Sequence, residues 1–219
     1  MCTKDFILAS GSPQRKRLLE QIGYIPKLIE PADIDETPFK SEKASAYVKR
    51  MALEKGLHVA EKHPGEIVLS CDTVVVVGNR IIQKAHDDKE QERVMRMLSG
   101  KTHRVLSAVC VVNKDGRASV KLNTTKMVVK RMTEDEIKSY VAGHDWVGCS
   151  GYRSEGLMEA FVKKIMGSTS GVIGLPLYET KNLLNSAGIK SEYTECQLIR
   201  LFMKRKTIRL ELPLWLPVK

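Results

Sequence analysis

An aspartate stands inside the most apolar run of this sequence. Asp72 interrupts Ile67-Val68-Leu69-Ser70-Cys71-Asp72-Thr73-Val74-Val75-Val76-Val77, where an ionised carboxylate is costly unless it is paired, bound to a cation or turned towards a cleft. Such a group can take a proton from water or hold a divalent cation, and Glu36 in Asp33-Ile34-Asp35-Glu36 offers a second acid from a loop. The competing reading is an aspartate at a bulge, satisfied by backbone N–H groups. Upstream, a short apolar segment runs into Ser10-Gly11-Ser12-Pro13-Gln14-Arg15-Lys16-Arg17. Hydroxyls and free N–H groups at the positive end of a helix make a phosphate cradle there, and Arg15 adds paired donors. Taken alone, the segment reads more simply as a serine-proline helix start with a solvated basic face. Lys84 is open in the same way: it can neutralise phosphate charge or be solvated.

Other chemistries find less support. The serine segment lacks the Gly-Lys-Ser/Thr spacing of a P-loop, and no Gly-x-Ser-x-Gly elbow follows a strand. His58, His63, His86, His103 and His144 show no paired-ligand spacing, and neighbours such as His144 and Asp145 rarely present both side chains to one reacting atom. Gly167-Ser168-Thr169-Ser170-Gly171 reads as a phosphate loop or, equally, as a flexible turn. The five cysteines are scattered without a Cys-x-x-Cys spacing, so neither a disulfide framework nor a zinc site is expected.

The elements that must position these residues alternate between strand and helix, which predicts an α/β fold with a mixed sheet. Strands are expected at Lys4 to Ala9, at Ile67 to Val77 with a Gly78-Asn79 hairpin into Ile81-Ile82, and at Arg104 to Val112 and Lys121 to Lys130 across Asn113-Lys114-Asp115-Gly116. Helices are expected after Pro13 up to Gly23, from Ser45 to Glu61, from Asp87-Asp88 to Leu98, from the Thr133-Glu134-Asp135-Glu136 capping box through Val141, and after Gly174-Leu175-Pro176-Leu177 to near Gly188. A glycine-rich loop spans Gly148 to Gly156.

With 219 residues and 42% hydrophobic content the chain can bury a core without staples. Nothing at its N-terminus looks like a secretory signal and no stretch approaches the ~20 apolar residues of a membrane span, so a cytoplasmic address without membrane attachment is expected. The net charge of +10 suits a polyanionic partner. Residues 190–219 carry seven basic against three acidic side chains, so part of that charge is local. An aromatic content of 5% argues against recognition of single strands by stacked bases, and nucleic acid is not expected as a partner.

Six separated segments together resemble the Maf-like family of nucleotide pyrophosphatases. They are Ile7 to Leu19, Asp33-Ile34-Asp35-Glu36-Thr37-Pro38, Cys71-Asp72-Thr73-Val74-Val75, Leu98-Ser99-Gly100-Lys101-Thr102-His103, Gly151-Tyr152-Arg153-Ser154-Glu155-Gly156 and Gly174-Leu175-Pro176-Leu177. The resemblance implies one domain over residues 1–189 with a basic extension of unknown role at 190–219. It implies an elongated central mixed β-sheet flanked by helices, two lobes around a nucleotide-binding cleft, and a homodimer. The implied reaction is hydrolysis of a nucleoside triphosphate between the α and β phosphates, with a divalent cation, magnesium or manganese, held by Asp72 and Glu36. Asp72 matches the proton acceptor, Glu36 and Lys84 the second acid and the lysine of the cleft, and Ser10, Ser12 and Arg15 the phosphate loop. Base preference in the family falls at positions matching Gln14, Thr73 and Glu155. Thr73 fits the branch acting on dTTP and UTP, from which Gln14 departs, whereas Ser154-Glu155-Gly156 and Asp35-Glu36-Thr37-Pro38 look closer to the branch acting on 7-methyl-GTP, towards which the reading leans. Gln83 and Ala85 flank Lys84 where the family has Gly and Pro, which leaves the placing of that loop open. The alternatives are a dTTP/UTP pyrophosphatase of the same family and a non-catalytic nucleotide-binding or nucleic-acid-binding regulator of cell division.

Overall fold

The computed structural model describes residues 5–191. The expectation of a basic extension therefore lies outside the described residues, apart from Lys190 and Ser191.

The chain begins with strand β1 (Phe6–Leu8), helix α1 (Pro13–Gln21), strand β2 (Leu28–Ile29) and helix α2 (Ala44–Lys62). Then come β3 (Ile67–Val77), β4 (Arg80–Ile82), α3 (Asp88–Leu98), β5 (Thr102–Val112), β6 (Ala118–Val129) and α4 (Glu134–Ala142). A 3-10 turn (Leu157–Phe161), β7 (Val162–Met166), α5 (Thr169–Ile173) and α6 (Leu177–Ser186) complete it. The sheet has seven strands in the order β2-β1-β3-β5-β6-β7, with β4 also paired to β3. β1 runs parallel to β2 and β3, and the other pairings are antiparallel, so the sheet is mixed as expected.

Local chemistry accounts for the element ends. Asp87 caps α3 by accepting from the Glu90 N–H at 2.7 Å, and Thr133 with Glu136 forms the reciprocal capping box on α4. The β5–β6 hairpin turns through Asn113 to Gly116, where Gly116 takes a positive φ of 79°. Gly167–Gly171, expected as a loop or turn, instead contains the start of α5, capped by the Ser168 hydroxyl accepting from the Gly171 N–H. β7 and the two-residue β2 carry no sequence signal, because both lie at the sheet margins with mostly exposed side chains.

β3 organises the rest. Its side chains alternate faces, so Leu69 and Cys71 join an apolar cluster with Leu19, Val109 and Leu184, while Val68, Val74 and Val76 join one with Val48, Met51 and Val59 of α2. Further along, Val75 enters a third cluster with Met95, Tyr140, Trp146 and Tyr152. β3 and β5, 11 residues each, thus run through all three apolar clusters. On one edge, Ile67–Leu69 pairs with β1 and Val75–Val77 pairs with β4. Among the described residues no strand covers Ser70 to Val74 on that edge, and the molecule opens there.

Candidate active site

The opening is a cleft of about 710 Å³. Every residue singled out in the sequence lines it: Ser10, Ser12, Gln14 and Arg15 from the start of α1, Glu36 from a loop, Asp72 and Thr73 from β3, Lys84 after β4, and Glu155 from the glycine-rich loop.

Asp72 is 6% exposed and lies on the face of β3 that packs against α2. The pairing of β3 with β5 is continuous through Asp72 and Ala108, so the carboxylate sits in a regular strand and not at a bulge. Its partner is Lys55, whose Nζ lies 2.8 Å from Asp72 Oδ1 and 3.0 Å from Glu36 Oε1. One buried ammonium therefore joins the two acids, which offsets the desolvation of both kinds of charge. α2 reaches this close because Gly56 faces β3 and β5: a Cβ there would lie 2.7 Å from Ser70 Oγ and 3.2 Å from Val112 Cγ2. The Ser70 hydroxyl then donates to the Ala52 carbonyl at 2.5 Å, tying strand to helix.

Lys55 was not among the expected residues. The sequence gives it only as a charge within an amphipathic helix, yet it falls on the buried stripe formed by Val48, Met51, Ala52 and Val59. A lysine at a core position of a helix is the signal that would have found it.

Thr73 points to the opposite face of the sheet. Its hydroxyl shares a hydrogen bond with Ser107 Oγ at 2.8 Å, and Ser107 donates to the Gly171 carbonyl at 2.6 Å. The Gly174 carbonyl gathers a second set of donors, the Arg15 Nε–H at 2.9 Å and the Cys71 thiol at 3.0 Å. Gly174 takes φ 134°, open essentially only to glycine, which explains its place before Leu175-Pro176. Arg15 also donates from Nη1 to Ser10 Oγ at 2.9 Å. The guanidinium is thus fixed beside the start of α1, where the N-cap Ser12 donates its hydroxyl to Gln14 Oε1 at 3.1 Å, caps no first-turn N–H, and is followed by Pro13. N–H groups and a fixed cation converge there, as an anion requires.

The far wall is the segment Gly148 to Gly156. Lys84 forms a backbone bridge with Ser150, so the lysine loop and the glycine loop are joined. Gln91 Nε2 donates to the Gly151 carbonyl at 2.8 Å, and the Tyr152 hydroxyl shares a 2.6 Å hydrogen bond with His103 Nε2. Burial lowers the His103 pKa to about 4 and raises that of Tyr152, so the pair is neutral. Arg153 also lines the cleft, and its guanidinium lies 3.7 Å from Asp145. His144 turns instead to Asp88 at 3.2 Å, so His144 and Asp145 form no dyad. Burial raises the thiols of Cys71 and Cys110 to about 11, which suits packing and not nucleophilic work.

The profile of the family described as Maf-like protein matches residues 5–187. The chain belongs to the Maf-like protein family. Maf-like relatives include a protein from Zymomonas mobilis named dTTP/UTP pyrophosphatase, 46% identical over 84% of this chain and 92% of its own length. Another of the same name, from Caulobacter vibrioides, is 44% identical over 84% of this chain and 96% of its own. A solved nucleoside-triphosphatase / dITP/XTP pyrophosphatase from Mycobacterium abscessus overlaps 58% of this chain and 73% of its own at 20% identity and a TM-score of 0.38, a likeness too loose to carry any inference. The Maf-like assignment made from six motifs holds. The leaning towards the 7-methyl-GTP branch does not find its counterpart in these relatives' names.

Among the described residues no helix is long and apolar enough to cross a membrane, and no group of three or more His, Cys, Asp or Glu side chains could hold a metal ion.

Proposed function

We propose that this chain hydrolyses nucleoside triphosphates between the α and β phosphates, releasing a monophosphate and pyrophosphate. The observation that carries the reading is the Lys55 ammonium joining Asp72 and Glu36 at the uncovered stretch of β3, beside the start of α1. In the reaction water attacks the α-phosphorus, the bond to the bridging oxygen breaks, and the water's proton passes to Asp72. Lys55 fixes Asp72 so that its carboxylate faces the water. Arg15, Lys84 and the N–H groups of α1 balance the charge that grows on the departing pyrophosphate.

The donor set fits magnesium. Two hard carboxylate oxygens are too few for an all-protein cage but match the usual way in which magnesium is held, by one or two carboxylates and the substrate's own phosphates. Asp72 and Glu36 would hold the ion, and it would supply charge neutralisation on the phosphate oxygens.

The relatives' names favour dTTP and UTP as substrates. Thr73, held by Ser107 and aimed into the cleft, is in keeping with that branch. A second reading, a 7-methylated guanine nucleotide, rests on the Glu155 carboxylate, which lines the cleft and could face a positively charged base. The test is pyrophosphate release with magnesium from dTTP, UTP, CTP, GTP and 7-methyl-GTP. Preference for the two thymine and uracil nucleotides supports the first reading; preference for 7-methyl-GTP, lost in Glu155→Gln, replaces it with the second; silence over the whole panel overturns both.

A further inference from the structure

Glu36 reaches Lys55 from a segment without regular secondary structure, and its side chain is 43% exposed. A single salt bridge to a half-exposed carboxylate does not fix a loop, because the side-chain entropy of both partners opposes it. Something else must hold the backbone. We propose that Arg50 is a positioning residue for the reaction, clamping the Glu36 segment onto α2 so that Glu36 and Lys55 meet; this rests on the pyrophosphatase reading above.

The geometry is specific. Arg50 lies on α2 five residues before Lys55, and its side chain is 17% exposed. Its Nε and Nη2 donate to the two oxygens of Glu42 at 2.9 and 2.7 Å, a bidentate pair. Nη2 also donates at 3.1 Å to the carbonyl of Thr37, the residue next to Glu36, and Nη1 donates to Glu54 at 3.1 Å. The Phe39 ring covers the guanidinium, with its centroid 3.9 Å from the central carbon. Every one of these partners except Glu54 belongs to the segment that follows Glu36. The same segment is closed on itself, with Glu42 accepting from the Phe39 N–H at 3.0 Å and Asp35 from the Thr37 N–H at 2.9 Å. Tyr47, three residues before Arg50, adds a bond from its hydroxyl to the Glu36 carbonyl at 2.8 Å.

A lysine at position 50 keeps the charge but loses the fork that spans Glu42, Glu54 and the Thr37 carbonyl together. The test therefore uses Arg50→Lys, with Glu42→Gln as the companion that breaks the clamp from the loop side should the first variant not fold. By amide hydrogen exchange, residues 35–42 should exchange at least about tenfold faster in the variant, with β3 unchanged. In turnover, kcat/KM should fall at least about tenfold in the wild-type background but less than about threefold when Glu36→Gln is already present, since the two changes act through one contact. Unchanged exchange in residues 35–42, or an equal loss in the Glu36→Gln background, overturns the clamp. If the wild type cleaves no triphosphate, the pyrophosphatase reading fails, and exchange alone still decides whether Arg50 holds the loop.

Discussion

Lys55 is held in the cleft by two carboxylates, Asp72 and Glu36, whereas Tyr152, which lines the same cleft, is held by the neutral imidazole of His103. The first wall is built of charges that a phosphate or a cation can re-pair. The second is built of neutral hydrogen bonds to a buried core, with Gln91 bonded to Gly151, Tyr140 accepting from the Arg153 N–H at 3.1 Å, and His103 at 2% exposure. The difference assigns separate tasks: at the open sheet edge the charges hold one another, while the opposite wall is anchored by neutral hydrogen bonds and presents Lys84, Arg153 and Glu155 to the cleft from that fixed frame. A protonated His103 would upset that division, which burial prevents near neutral pH.

The largest effect should follow from breaking the charged wall. Lys55→Met leaves Asp72 buried without its counter-ion; the expected loss is about 3 kcal/mol of stability, by denaturant midpoint, and at least about a hundredfold in kcat. An intact kcat would remove Lys55 from the account.

The neutral wall should reveal itself through pH. His103 has a folded pKa of about 4 against an ordinary 6.5. Between those values the unfolded chain takes up a proton that the folded chain does not, so stability falls as pH drops from about 6.5 to about 4 and this contribution then levels off. The size is on the order of 3 kcal/mol. His103→Gln keeps a hydrogen-bonding group for Tyr152 but does not titrate, and its stability curve should lose that slope while kcat changes little at neutral pH. An unchanged slope would mean that other groups carry it.

A smaller effect is expected at Thr73. Ser107→Ala removes the link between the Thr73 hydroxyl and the Gly171 carbonyl, for a loss of about 1 kcal/mol. If Thr73 binds the nucleotide as proposed, the change should raise KM for the preferred nucleotide more than it lowers kcat, because the hydroxyl keeps only its 3.4 Å contact with the Gly174 carbonyl. A fall in kcat alone would place Thr73 nearer the chemistry.

Much of the fold was legible because its strands and helices carry strong periodicity or caps. Seven of the eleven residues of β3 are β-branched, the Thr133–Glu136 box closes as expected, and Asp87 caps α3. The margins were not legible: β7 is exposed along most of its length, β2 has two residues, and α5 is too short to show a period. At the site, Asp72 announced itself as a charge among valines. Lys55 did not, because lysines in surface helices are ordinary and only the helix's packing shows which stripe is buried. His103 was likewise passed over, since spacing alone cannot reveal that Tyr152 lies 2.6 Å away. Arg50 belongs with them: its five donors matter only once the loop after Glu36 folds back on α2.

The central claim is cleavage at the α-phosphorus with Asp72 as proton acceptor, and hydrolysis of dTTP in ¹⁸O-labelled water tests it most directly. The label should enter dTMP, unlabelled pyrophosphate should be released, and Asp72→Asn should abolish both while leaving the fold intact by circular dichroism. Label found in orthophosphate with dTDP as co-product, or turnover undiminished in Asp72→Asn, would contradict it.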